Sequence, residues 1–199
     1  MEARPRVALS ATYLSIDQPR QWLHCVTSAL LAQAERNKQS ADFATPLQDN
    51  FGLTFDMVDA QAALTIQESE QLATMALFAA VEAGLQIDYQ NRIRRRVKKG
   101  KVLRQLYKKI NEATTRKKLQ APPVELLLDS WKQVHPQIAQ LAGDLLAAFR
   151  YRHWLAHGRY WVFRGNAISH DLLFHLASRL FDSLEASDPG FHSDPLHKS

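Results

Sequence analysis

From Phe55 to Arg96 the chain holds no proline, and its apolar residues Val58, Leu72, Met75, Phe78, Val81 and Leu85 recur at helical rather than alternating spacing. One long helix is the simplest reading, with Gly84 the place where a kink is expected. The apolar face of such a helix has to be buried against other elements, and the flanking sequence offers more helices. Asp17 is placed to cap a first helix with Pro19 in its first turn, and Trp22, Val26 and Leu30 recur every fourth residue. A polar stretch from Asn37 to Asp49, containing Pro46, reads as the loop that closes it.

Gly100 breaks the chain again. Beyond it Leu103, Leu106, Tyr107 and Ile110 share one helical face while Lys101, Arg104 and Lys108 share another. Ala121-Pro122-Pro123 marks a boundary, and Val124, Leu127, Leu128 and Trp131 mark a short helix that His135-Pro136 ends. Ile138, Leu141, Leu145 and Phe149 open a helix running to the vicinity of His157, where Gly158 supplies a stop. Tyr160-Trp161-Val162-Phe163 has extended propensity and meets a turn at Arg164-Gly165-Asn166. A last helix, capped by Ser169, carries Leu172, Leu173, Leu176, Leu180 and Leu184. The expected fold is an all-α bundle of five to six helices forming a single domain over residues 1–187, followed by a disordered tail at 188–199.

Several function classes are excluded by what the chain lacks. Cys25 is its only cysteine, so neither an intrachain disulfide nor a cysteine-based zinc site can form, and a reducing, cytoplasmic setting is expected. The longest apolar run, Leu72 to Val81, is too short to span a bilayer, and the opening residues are too polar for a secretion signal. There is no Gly-rich phosphate loop and no serine nucleophile elbow, and His192 and His197 lack a third metal ligand. No metal and no cofactor is expected.

Charge is unevenly spread. Arg92 to Lys118 holds 13 of the 25 basic residues and one acid, Glu112, so this segment carries +12 while the remainder is net −7 within an overall +5. Such asymmetry points to a polyanionic partner, with Arg92, Arg94, Arg95, Arg96, Lys98, Lys99, Lys101, Arg104 and Lys108 as candidate RNA contacts. A basic helical scaffold that binds RNA, or an acidic protein, without catalysis is the competing function class.

The densest cluster of reactive side chains lies at a helix C-terminus, in Phe149-Arg150-Tyr151-Arg152-His153-Trp154-Leu155-Ala156-His157-Gly158-Arg159-Tyr160-Trp161. Arginine forks hydrogen bonds onto phosphate and imidazole exchanges protons near neutrality, a combination suited to phosphodiester chemistry. Arg152 and His157, with four residues between them, resemble the Arg-x4-6-His signature of the HEPN superfamily, helical bundles that include metal-independent ribonucleases and toxins. The resemblance covers roughly Thr54 to Leu184 and implies an endoribonuclease that works as a homodimer, as a toxin paired with an antitoxin protein or as a phage-defence effector. It implies attack of an RNA 2′-hydroxyl on the adjacent phosphorus, leaving a 2′,3′-cyclic phosphate. It also assigns Arg152 and His157 to catalysis; helix geometry keeps Arg150 and His153 as alternatives, because on one continuous helix His157 lies about 140° from Arg152 but about 20° from Arg150 and about 40° from His153. Arg159 would join the RNA contacts, and Glu82, Asp88 and Tyr160 would support the site. Tyr160 departs from the pattern, standing three residues after His157 where some members carry a tyrosine two residues after.

Overall fold

The computed structural model describes residues 14–41, 54–94, 100–117, 119, 121–157, 162–188 and 190–191. They form α1 (Asp17–Ala41), α2 (Phe55–Arg94), α3 (Lys101–Arg116), α4 (Val124–Val134), a short 3-10 turn (Pro136–Ile138), α5 (Ala139–Ala156) and α6 (His170–Ser187). No strand occurs among the described residues.

The long proline-free stretch is the central pillar. α2 runs unbroken through Gly84 for 40 residues, about 60 Å at 1.5 Å per residue, and every other α-helix packs on part of it. Its two halves differ. Phe55, Met57, Leu64 and Leu72 in the N-terminal half are exposed, whereas Leu77, Phe78, Val81, Leu85 and Tyr89 in the C-terminal half are buried. Around that half α3, α4, α5 and α6 close a single apolar core that includes Leu103, Trp131, Leu145 and Leu180. This half of α2 is not enclosed all round, since Ala79 is exposed and Glu82, Gln86 and Gln90 are only half-buried.

α1 continues to Ala41, past the closure expected at Asn37. Side-chain contacts hold its last turns, Gln33 Nε2 donating to Asn37 Oδ1 at 2.9 Å and Lys38 pairing with Asp59 of α2 at 2.7 Å. Trp22 is exposed, because the stripe that turns toward the bundle is Leu23, Val26, Leu30 and Ala34.

Two punctuation marks act as the sequence predicts. Ser169 Oγ accepts from the Leu172 backbone N–H at 3.3 Å and caps α6. Gly100 precedes α3 in the left-handed region, at φ 68°. A Cβ there would meet Arg92 Nη1 and Asp188 Oδ2, so the position demands glycine for space as well as for conformation.

The stretch read as a tail is part of the domain at its start. Phe191 is buried, with ring centroids 5.7 Å from Trp131 and 5.6 Å from Phe181, and Asp188 is buried beside Arg92. Residues 192–199 lie outside the described ones. Among the described residues no helix is long and apolar enough to cross a membrane.

Candidate functional site

α5 ends where the cluster of arginines and histidines lies. The helix is regular to Ala156, and the His157 backbone N–H still donates to the His153 carbonyl at 3.2 Å before the chain leaves helical geometry. His153 and His157 are therefore one turn apart on one side of the helix, both exposed, with ring centroids 4.2 Å apart.

The two candidate arginines go to different places. Arg152 turns toward α2, where its Nη2 donates to Glu82 Oε2 at 3.2 Å, and 38% of its side chain stays exposed. Glu82, chosen from the sequence as a supporting acid, thus orients an arginine of the cluster across a separation of 70 residues. Arg150 leaves α5 on another side and lines a groove between α5 and α6. Because α5 is regular, Arg152 and His157 depart about 140° apart around its axis, and the motif's two residues do not share a helix face. Tyr151, buried on the inner side, and Trp154 pack with Phe163 of the connecting segment, with ring centroids 5.3 and 5.5 Å from Phe163.

The basic segment divides. On α3, Leu103 and Tyr107 are buried while Lys101 and Lys108 of the predicted cationic face are exposed, as is the neighbouring Lys109. Arg104 is half-buried between the two faces. Arg94 ends α2. Arg92, expected among the RNA contacts, is a core residue instead, 1% exposed. Its Nε donates to Asp88 Oδ1 at 2.8 Å, its Nη1 donates to Asp188 Oδ2 at 2.9 Å, and its guanidinium lies 5.2 Å from the Trp131 ring centroid. A guanidinium enclosed by two carboxylates and an indole has no path to a phosphate. Asp88, likewise expected to support the active-site cluster, serves this buried group and not α5.

Burial pushes the Asp88 carboxyl up to about 7, against the opposing pull of Arg92. Tyr107, whose hydroxyl donates to Asp88 Oδ2 at 3.3 Å, is raised well above the usual phenol range, by burial first and then by the neighbouring Asp88 charge. For Arg92, burial alone lowers its pKa, but the charges of Asp88 and Asp188 outweigh it and hold the group raised.

Arg95, Arg96, Lys98, Lys99, Arg159 and Tyr160 lie outside the described residues. Among the described residues no three His, Cys, Asp or Glu side chains gather to hold a metal ion. Sequence reasoning missed Arg164, His175 and Arg179, which share the groove with Arg150. The signal was present: Leu172, His175, Leu176 and Arg179 follow i, i+3, i+4, i+7 spacing and so form one helix face. The chain matches no protein-family model, no curated protein and no solved structure.

Proposed function

We propose that this protein is a metal-independent endoribonuclease of HEPN type, acting as a toxin or phage-defence effector, with its chemistry at the C-terminal end of α5. The observation that carries this reading is the pair of exposed imidazoles, 4.2 Å apart and one turn from each other, with the arginine next to His153 in sequence steered by Glu82. Transesterification of RNA requires a proton to leave the 2′-hydroxyl and another to reach the departing 5′-oxygen. In this reading His157 takes the first as the 2′-oxygen bonds to phosphorus, and His153 supplies the second as the phosphorus to 5′-oxygen bond breaks. Arg152 stabilises the charge on the phosphoryl oxygens. The 140° between Arg152 and His157 fits a homodimer in which one copy's arginine serves the other copy's histidine. An antitoxin would act by covering this surface.

The test is incubation of the full chain with RNA in excess EDTA. Fragments ending in 2′,3′-cyclic phosphate are expected, with His157→Ala slowing cleavage by about 10²- to 10⁴-fold while RNA binding persists. Undiminished cleavage by the variant would remove the site.

A second reading rests on α3, whose exposed Lys101, Lys108 and Lys109 oppose its buried face. In it the protein binds a polyanion without cutting. Intact RNA bound with a steep salt dependence that Lys101→Gln and Lys108→Gln reduce would favour this alternative.

A further inference from the structure

A groove of about 720 Å³ lies between α5, α6 and the segment 162–168 that joins them. That volume falls in the range of small-ligand sites. Phe163, Ile168, Leu172 and Leu176 line it with apolar surface, and three arginines line it from three different elements: Arg150 of α5, Arg164 of the joining segment and Arg179 of α6. Among the described residues none of the three guanidiniums makes an ion pair. Among the described residues Asp144 is the one acid lining the groove, and its Oδ1 accepts from Gln140 Nε2 at 2.7 Å.

Three cations around one apolar hollow repel one another, and apolar walls in contact with water are unfavourable. A single occupant relieves both. Its anionic head would take charge-assisted, forked hydrogen bonds from the arginines, and its body would cover the walls. Simple anions lack the body, and a sugar-phosphate chain is too polar for these walls. The groove is also built to keep its shape, since the Phe163 ring is clamped by Tyr151 and Trp154. Gly165 folds directly over that ring, where a Cβ would stand 2.7 Å from its Cζ.

We propose that this groove binds a small anion with an apolar body, its carboxylate or phosphate held by Arg150, Arg164 and Arg179 and its body laid on Phe163, Ile168, Leu172 and Leu176. The site is independent of the nuclease reading, which uses Arg152 on another side of α5.

Calorimetric titration of the full chain tests it with decanoate and 1-naphthyl phosphate, each beside its neutral counterpart, decanol or 1-naphthol, and beside inorganic phosphate. At least one of the two anions is expected to bind with one-to-one stoichiometry, and which one binds identifies the body the groove accepts. It should bind about tenfold or more tighter than its neutral counterpart, the worth of one charge-assisted hydrogen bond. Arg164→Gln and Arg179→Gln, both at exposed positions that leave the core intact, should each weaken it to a similar degree, whereas Lys101→Gln on α3 should not. The proposal is overturned if neither anion saturates, if the neutral counterpart or inorganic phosphate binds as well, or if the arginine variants bind like the wild type.

Discussion

α2 sends out two carboxylates that each meet an arginine, and the two pairs have opposite consequences. Asp88 meets Arg92 where the side chains are 0% and 1% exposed, together with Asp188 from beyond α6. Glu82 meets Arg152 where they are 35% and 38% exposed. In the first pair every charge has left water and depends on the others, so the arrangement is part of the fold. In the second, water competes for both partners, so the pair adds little to stability but leaves a cation aimed and reachable. The chemistry of the groups is the same, and the dielectric around them decides whether they hold the protein together or stay open to water.

The largest expected effect breaks the buried pair. Arg92→Met leaves Asp88 and Asp188 without their shared cation, and urea denaturation should register a loss of about 3–5 kcal/mol. A loss within error of zero would mean that the cluster is not the closed, dry unit described.

The next concerns protons. One cation faces two carboxylates, and burial raises Asp88 from 3.8 to about 7. Between those values the folded chain binds a proton that the unfolded chain releases. This contribution to stability is therefore complete below about pH 4 and is lost as the pH rises through about 7. Wild-type stability should decline from pH 5 to pH 7.5 relative to Asp88→Asn, measured by denaturant titration at each pH. Parallel pH profiles would remove Asp88 as the source.

The smallest effect belongs to the half-exposed pair. A double-mutant cycle of Glu82→Gln and Arg152→Met should give a coupling of at most about 1 kcal/mol, discounted for solvent screening. The same substitutions should nevertheless impair RNA cleavage under the proposed function. A coupling as large as that of the buried pair would erase the contrast between them.

How much could be read in advance varied with the range of the interaction involved. Helix positions were legible because spacing, caps and breakers act within a few residues, as at Ser169, Gly100 and Pro122-Pro123. Arg92 was misassigned to the cationic surface because it stands beside Arg94, Arg95 and Arg96, and nothing local distinguishes it. What buries it is Asp188, 96 residues further along the chain. The i, i+4 spacing of Asp88 and Arg92 was visible, but that spacing suits a surface pair equally well. The groove lay half in view, as a stripe on α6 whose partner face on α5 was recognisable only as part of the arginine and histidine cluster.

Local order in the chain determined an all-helical architecture, the long pillar of α2, a cationic face on α3 and a histidine pair one turn apart at the end of α5. Only the tertiary structure decided which arginines are removed from water and which remain available, since burial depends on surfaces that arrive from distant parts of the sequence. A guanidinium's role follows from that desolvation, and no neighbour within a few residues can specify it.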